Sequence, residues 1–362
     1  MTDPIPDHKN RIHDTVAAIV PPGDALLPEI SRRLDSLTKP PGSLGRLEAL
    51  ASHIARIQDT VKPSVARKAV LVFAADHGVA AEGVSAYPRE VTPQMVLNFL
   101  GGGAAVNVLA RHAGASVTVV DMGVDHDFSP PPPGLLVRKV GPGTASMTRG
   151  PAMSEAQAEA AVAAGIEVAT AAARSGAELI ACGDMGIGNT TASAAITACF
   201  AARTPDAVTG RGTGVNDAAL RQKIAAVTRA LEVNRPDREN PMEVLARVGG
   251  FEIGAIAGAV LAAARHRVPV LLDGYIATAG ALTAVGLCPA VREYLIAGHR
   301  SVEPGHAIAL EHLNLEPLLE LDLRLGEGTG AVLAMHLAEA AVRMMGEMST
   351  FAQAGVSERA GD

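Results

Sequence analysis

The chain is poor in aromatic side chains and in positive charge. Its 362 residues include no Trp, 3 Tyr and 6 Phe, so it lacks the stacking platforms that hold bases in single-stranded nucleic-acid-binding proteins. Its 31 Lys and Arg are outnumbered by 38 Asp and Glu, which gives a formal net charge of −7. Because no basic stripe is visible, nucleic acid is not an expected partner.

Cysteine and long apolar runs are also scarce. The three cysteines, Cys182, Cys199 and Cys288, are far apart and lie in or beside apolar runs without metal-type spacing, which predicts buried free thiols in a reducing compartment. No uncharged apolar run reaches the ~18 residues that a transmembrane helix needs. The polar, acidic first residues do not resemble a signal peptide. The sequence therefore predicts a soluble, cytoplasmic protein that does not act on a membrane.

The chain does contain enough apolar sequence for a large core, since 48% of its residues are apolar and 19% are charged. Short, continuously apolar runs alternate with Ala-rich segments of helical pattern, which predicts an α/β fold with a parallel sheet covered on both faces. The predicted strands are 69–76, 116–123, 178–184, 268–274 and 294–299, and the predicted helices lie near 93–113, 154–175, 190–202, 217–232, 252–266 and 275–287.

The alternation does not include the two ends of the chain. We predict a large α/β domain over 65–300 and a smaller helical domain built from 1–64 and 301–362, with the proline-rich segment 129–134 as a loop. The turn residues around Lys39, in the segment LTKPPGSLGRLE (37–48), predict an ordered loop.

The predicted strands end in similar residue types. Asp76-His77-Gly78, Asp121-Met122-Gly123, Asp184-Met185-Gly186 and Asp273-Gly274 each combine an acid with a glycine. Ligands bind beyond the carboxyl ends of the strands in an open parallel sheet. Strands also end in turn residues for structural reasons alone, but the repeated pairing favours a site at this edge.

The segment GDMGIGNTTASAA (183–195) is the richest candidate for such a site. Its glycines precede Asn189, Thr190 and Thr191 at a predicted helix start, where free backbone N–H groups and hydroxyls suit a phosphate; an ordinary capped turn is the alternative. In a second Gly-rich turn, GRGTGVND (210–217), Asn216 or Asp217 is expected to cap the next helix. Lys223 on that helix can reach an anion, although a solvated surface lysine is the favoured interpretation.

Other candidates are weaker when taken alone. Tyr87 and Gln94 offer a ring and an amide that suit an apolar pocket for an aromatic ligand, but isolated residues of these types are more often structural. Ser301 lies in a turn between His299 and His306, whose spacing fits no usual zinc motif. We therefore expect no metal site.

One carboxylate remains, in the segment RLGEGTGA (324–331). Glu327 lies between Gly326 and Gly328 just before a predicted helix. A lone carboxylate beside apolar surface suits a general base, since burial raises its pKa toward neutral. The alternative is an acid that is stabilised by the dipole of the following helix.

Six stretches together resemble a known family, the nicotinate-nucleotide–dimethylbenzimidazole phosphoribosyltransferases of cobalamin biosynthesis. They are LTKPPGSLGRLE (37–48), ADHGVAAEGVSAYPREVT (75–92), GDMGIGNTT (183–191), VGGFEIGAIAGA (248–259), PVLLDGYI (269–276) and RLGEGTGA (324–331), and the likeness runs in the family's order from about residue 25 to about residue 350.

The resemblance implies a Rossmann-like sheet, a small helical domain from both chain ends, and a homodimer. It implies transfer of the phosphoribosyl group of nicotinate mononucleotide to 5,6-dimethylbenzimidazole, with inversion at C1′, Glu327 as general base and no cofactor. The residues that it places on the substrates are Tyr87 and Gln94 at the acceptor base, Gly326 and Gly328 beside the ring that Glu327 meets, and Asp184, Gly186, Asn189, Thr190, Thr191, Lys223 and Ser301 at the phosphoribosyl end.

Two positions depart from the family pattern. Asp184 stands where many relatives have Glu, and Tyr87 where some have a small residue.

Two other classes of protein fit the same fold. A nucleotide-binding or azole-binding sensor without turnover would need no base at Glu327. A dinucleotide oxidoreductase would need a phosphate fingerprint after the first strand, and ADHGVAAEG lacks it.

Overall fold

The structure is a computed structural model and describes residues 8–212 and 214–357. Its helices are α1 (His8–Ala17), α2 (Leu27–Asp35), α3 (Arg46–Ile57), α4 (Val91–Leu100), α5 (Ala105–Ala113), α6 (Glu155–Arg174), α7 (Asn189–Phe200), α8 (Pro205–Val208), α9 (Asp217–Asn234), α10 (Pro241–Val248), α11 (Phe251–Arg265), α12 (Tyr275–Leu287), α13 (Pro304–His312), α14 (Thr329–Glu347) and α15 (Phe351–Ala354). The strands are β1 (Lys68–Ala75), β2 (Ala115–Gly123), β3 (Leu135–Val137), β4 (Leu179–Met185), β5 (Val270–Leu272), β6 (Leu295–Ala297), β7 (His299–Arg300) and β8 (Leu319–Glu320).

Six parallel strands form the main sheet in the order β3-β2-β1-β4-β5-β6. From β1 the chain adds β2 and β3 on one side of the sheet. It then crosses to the other side of β1 and adds β4, β5 and β6 there, so the switch point lies between β1 and β4. This confirms the predicted α/β class with a Rossmann-like sheet. The five predicted strands are all present, whereas β3 and the short parallel pair β7–β8 were not predicted.

Both faces of the sheet are covered. Along β1, Leu71 and Phe73 belong to the core beneath α6 and α11, while Val70 and Val72 face the opposite core beneath α5 and α14. All eight residues of β1 are buried, which explains why its sequence is continuously apolar rather than alternating.

The predicted helix over 93–113 is wrong in one respect. The structure has two helices there, α4 and α5, separated by Gly101, Gly102 and Gly103. Gly102 adopts a φ of +74°, a conformation that is strained for other residues. The break gives α5 its own N-terminus, with free N–H groups that face the end of the sheet.

Helices α2, α3 and α14, from the two chain ends, meet on one face of the sheet, whereas α1 lies on the other face. Helix α1 packs against α6 and α11, whereas α14 packs against α3 and α5 and reaches β4 and β5. The division into domains 65–300 and 1–64 with 301–362 stays a prediction. The predicted ordered loop before α3 is confirmed, because a buried ion pair joins Lys39 Nζ to Glu48 Oε2 over 2.9 Å and Leu44 N–H donates to Glu48 Oε1 over 2.9 Å.

The described helices include none long and apolar enough to cross a membrane. All three cysteines are free thiols, with Cys182 and Cys288 buried and Cys199 half-buried. Burial raises the pKa of the Cys182 thiol to about 12, so this side chain behaves as a small apolar core residue.

Candidate active site

A cavity lies beyond the carboxyl ends of β4 and β5, beside the switch point of the sheet. Turns from five parts of the chain converge on it, as expected for an open parallel sheet. Its lining includes Asp184, Gly186, Asn189, Thr190, Gly212, Tyr275, His299, Ser301, Glu303, Arg324 and Gly326.

The turn after β4 forms one wall of the cavity. Gly188 has a φ of +102° and precedes the first residue of α7, Asn189. Asn189 Nδ2 donates to Asp184 Oδ2 over 2.9 Å, so the acid at the end of β4 fixes the residue that starts the helix. The predicted helix start is therefore present at the cavity wall. Its N–H groups are not all free, since Asn189 N–H donates to the Gly186 carbonyl oxygen over 3.2 Å and Thr191 N–H to the Gly188 carbonyl oxygen over 3.0 Å.

Lys223 corrects the interpretation favoured by the sequence. It is not a solvated surface lysine, because only 1% of the residue is exposed, and its Nζ donates to Thr190 Oγ1 over 2.8 Å. Burial lowers the pKa of Lys223 to about 8, while the charge of Glu303 acts in the opposite direction. The lysine thus remains largely cationic at pH 7 and places that charge beside the start of α7.

The second Gly-rich turn closes the same end of the cavity. Asn216 accepts the N–H of Ala219 and caps α9, as predicted. Gly212 N–H donates to Glu303 Oε1 over 2.8 Å, and Arg324 Nη1 lies 3.5 Å from the Gly212 carbonyl oxygen. Lys223, Arg324 and Glu303 therefore bring two positive charges and one negative charge to this end.

Glu327 directly follows Gly326, a residue of the cavity lining; its own side chain lies outside that lining, beside the first turn of α5, and its backbone is strained. Its φ is +64°, and the flanking Gly326 and Gly328 have φ values of +79° and +98°. A non-glycine residue in this region costs about 1–2 kcal/mol. The loop also presses on β4, since a Cβ at Gly183 would overlap the carbonyl oxygen of Glu327. The glycines thus bring the carboxylate close to the sheet edge.

The carboxylate of Glu327 is buried but only weakly hydrogen-bonded. The residue is 5% exposed, and its Oε2 accepts one long hydrogen bond of 3.4 Å from the N–H of Val106, in the first turn of α5. Burial raises the pKa of Glu327; the Val106 N–H acts in the opposite direction and the charge of Asp273 adds to the rise. The direction agrees with the expectation from its apolar setting.

Asp273 was missed as a functional residue, although it appears in the strand-end pattern. It is fully buried and accepts N–H groups from Gly328 over 3.0 Å, Gly330 over 2.7 Å and Ala331 over 3.0 Å. This carboxylate therefore caps α14 and holds the Glu327 loop. Only the contacts of a folded chain reveal that role, since the partners lie 55 or more residues away.

Asp184 has the most perturbed environment of these acids. Burial raises its pKa well above the usual range, and the charges of Asp273, Glu252 and Glu327 raise it further, while the bond from Asn189 acts in the opposite direction. This environment favours the protonated form of Asp184, in which the carboxyl group can donate a hydrogen bond as well as accept one.

Ser301 lines the cavity between two buried histidines. His306 Nδ1 lies 3.0 Å from both the backbone nitrogen and Oγ of Ser301, and His299 Nε2 lies 3.5 Å from Asp273 Oδ1. Within the described part of the chain, no three His, Cys, Asp or Glu side chains come together in a way that suits a metal ion. Both rings are engaged in hydrogen bonds or ion pairs.

Several candidates from the sequence lie outside the cavity lining. Tyr87 is 53% exposed and Gln94 is also exposed. Thr191 is fully buried, and Gly328 directs its N–H to Asp273. The cavity lining brings together Asp184, Gly186, Asn189, Thr190, Ser301 and Gly326, and Lys223 reaches the cavity wall through its bond to Thr190.

Comparison with known proteins gives one consistent result. A family model described as phosphoribosyltransferase matches residues 19–356. The chain is 55% identical to the nicotinate-nucleotide–dimethylbenzimidazole phosphoribosyltransferase of Geobacter metallireducens, over 95% of this chain and 98% of the relative. It is 56% identical to the protein of the same name from Roseiflexus, over 96% and 98% of the two chains.

A solved structure is similar over almost the same length. The crystal structure of CobT from Thermus thermophilus is 55% identical in sequence and superposes with a TM-score of 0.89. The match covers 92% of this chain and 99% of that one.

Proposed function

Because the chain belongs to the family of nicotinate-nucleotide–dimethylbenzimidazole phosphoribosyltransferases, we propose that it transfers the phosphoribosyl group of nicotinate mononucleotide to 5,6-dimethylbenzimidazole. The products are α-ribazole 5′-phosphate and nicotinate, and the reaction supplies the lower ligand of cobalamin. The observation that carries the proposal is the carboxylate of Glu327. It is buried, its pKa is raised, and it lies between two glycines near the carboxyl ends of the strands.

In this proposal Glu327 acts as the general base. It removes the N–H proton of the benzimidazole while the other ring nitrogen attacks C1′ from the face opposite nicotinate, which inverts the configuration. Support comes from its single long hydrogen bond, which leaves lone pairs free to accept a proton. Its raised pKa also makes it a stronger base than an exposed glutamate.

The phosphoribosyl group occupies the cavity. The N-terminus of α7, with Gly186, Asn189 and Thr190, offers a positive dipole end and the Thr190 hydroxyl, and Lys223 adds a buried charge. Ser301 completes the phosphate contacts. Thr191 supports this turn from the core side, where it is fully buried.

The nicotinate ring nitrogen is cationic in the substrate and leaves neutral, so departure needs no acid. Asp184 holds Asn189 in place and faces the reacting end, beside Gly326. Tyr87 and Gln94, both exposed, form the outer wall for the acceptor ring, and Gly326 and Gly328 let that ring approach Glu327. Holding the two reactants together supplies much of the rate.

The test is to incubate the purified protein with nicotinate mononucleotide, with and without 5,6-dimethylbenzimidazole, and to quantify both products by chromatography. We expect nicotinate and α-ribazole phosphate in equal amounts only when the acceptor is present, and an α-glycosidic bond by NMR. Tight binding of both ligands without product would reject transfer and favour a sensor.

The proposal includes a homodimer, the assembly that the family resemblance implies. Size-exclusion chromatography with light scattering tests it directly. A mass near twice 37.0 kDa supports the dimer, and a mass of one chain at working concentration contradicts it.

A further inference from the structure

A chain of buried hydrogen bonds runs behind Ser301. His306 is fully buried, and its Nδ1 lies 3.0 Å from Ser301 N and 3.0 Å from Ser301 Oγ. Its Nε2 lies 3.0 Å from Thr278 Oγ1, which in turn donates to the carbonyl oxygen of Gly274 over 2.9 Å. The family comparison and the proposed reaction assign nothing to His306 or Thr278.

The direction of every bond in this chain follows from one fixed donor. The backbone N–H of Ser301 can only donate, so His306 Nδ1 must carry the lone pair and Nε2 must carry the proton. The Nε2–H then donates to Thr278 Oγ1, whose own hydrogen goes to Gly274. Any other arrangement leaves two hydrogens or two lone pairs facing each other.

Electrostatics keep His306 in the neutral form that is protonated on Nε2. Burial, followed by the charges of His299 and Arg300, lowers the pKa of His306 to about 3. The nearest rings are His299, whose centroid is 5.9 Å away edge-on, and Tyr275 at 6.4 Å. A second proton on Nδ1 would face the Ser301 N–H, so the neutral form persists throughout the physiological range.

The consequence falls on the Ser301 hydroxyl. The single lone pair of Nδ1 is taken by an N–H that cannot rotate away, so the hydroxyl hydrogen only shares it. The hydroxyl belongs to a residue that lines the cavity, and its hydrogen is free to turn toward an anion there. The imidazole thus fixes the position of Ser301 while it leaves one donor available.

We propose that His306, protonated on Nε2, is a positioning residue that holds Ser301 as a hydrogen-bond donor for the phosphate of the mononucleotide. This rests on the proposed function for the identity of the ligand, but the proton arrangement can be measured without it.

Two measurements test the proposal. The first is a long-range ¹H–¹⁵N correlation spectrum of the ¹⁵N-histidine-labelled full-length protein, with His306→Asn as the spectrum that assigns the resonance. We expect the Nε2–H form, unchanged between about pH 5 and 8. A proton on Nδ1, or titration within that range, would overturn the proposal whether or not the protein turns over substrate.

The second measurement is steady-state kinetics with nicotinate mononucleotide varied. His306→Leu offers no acceptor for Ser301 N–H and should raise KM about tenfold, the effect of one lost hydrogen bond to a charged group, with kcat changed by less than about threefold. In His306→Asn the Oδ1 can accept the same N–H, so its KM should stay within about threefold of the wild type.

The control variant is Thr278→Val, which removes only the far acceptor and should give a smaller rise in KM than His306→Leu. A wild-type KM in His306→Leu, or equal KM values for the Leu and Asn variants, would overturn the positioning role. Failure of the wild type to transfer the phosphoribosyl group would instead reject the proposed function, and the NMR result would still decide the proton arrangement.

Discussion

Asp273 and Glu327 are two buried acids at the same edge of the sheet, and they differ in how fully they are hydrogen-bonded. Asp273 accepts three short backbone N–H bonds and lies beside His299. Glu327 accepts one bond of 3.4 Å. A saturated carboxylate has little capacity left for a substrate proton, whereas an unsaturated one keeps its lone pairs. The difference supports our proposal that Asp273 builds the site and that Glu327 is the acid that reacts.

Glu327→Gln should give the largest effect. The amide keeps the shape and the bond to Val106 but cannot take a proton, so kcat should fall by about 10²–10⁴-fold. The measurement is nicotinate release at saturating substrates, with circular dichroism to verify the fold. Asp273→Asn is the matched control. A variant of Glu327 that keeps more than about a tenth of the wild-type kcat would contradict the assignment of the base.

Asp273→Asn should act mainly on stability. One oxygen becomes an NH₂ group that faces backbone N–H donors at the start of α14, so the free energy of unfolding should fall by about 2–3 kcal/mol. Urea denaturation of both variants measures this. If Asp273→Asn unfolds like the wild type while Glu327→Gln is destabilised by about 2–3 kcal/mol, Asp273 is not the acid that stabilises the loop, and the assignment of structural and reacting acid is contradicted.

The pH dependence of activity and of stability should report on Glu327. The pKa of Glu327 is raised in the folded state, so the acid limb of kcat/KM should lie above the ~4.3 of an ordinary glutamate. For stability, a raised folded-state pKa means that the contribution is full below the unfolded pKa and is lost as pH rises through the folded pKa. Glu327→Gln should therefore gain thermal stability relative to the wild type at pH 8 but not at pH 4. An equal difference in Tm at both values would show that Glu327 carries no such shift.

A methyl group at Gly326 should give the smallest effect. Its φ is +79°, and a Cβ would lie 3.1 Å from Asp184 Oδ2, so Gly326→Ala should cost about 1 kcal/mol of stability. Gly346 is the matched control, since it lies in α14 with nothing within 4 Å of a Cβ. Gly346→Ala should stabilise by about 0.5–1 kcal/mol. The same sign for both variants in thermal melts would contradict the strain in the loop.

The parts of the fold that depend on local sequence were predictable. β1, β2 and β4 are runs of apolar residues long enough to identify as buried strands, and α7 begins where glycines meet Asn189. The break between α4 and α5 was missed because the apolar spacing continues through it, although Gly101–Gly103 carried the signal. That break matters for function, since it exposes the N–H of Val106 that holds Glu327.

Contacts between distant residues explain what the sequence did not reveal. A lysine on a helix is usually solvated. Among the described residues, Thr190, 33 residues away, and the nearby charge of Glu303 compensate for the burial of Lys223. Asp273 was visible as a strand end, but its partners on the Glu327 loop were not. His306 was considered only as a metal ligand, because no pattern along the chain predicts that its acceptor nitrogen serves a backbone N–H.

The bond between Val106 and Glu327 also sets when the base becomes available. The two residues are 221 positions apart in the chain, so their contact depends on the folded sheet between them. Glu327 lies in a strained, buried loop, and we expect this loop to open locally without unfolding the strands. In the open state the Val106 amide would exchange its hydrogen with water. The exchange rate of that one amide therefore measures the fraction of molecules whose base is in place at any moment.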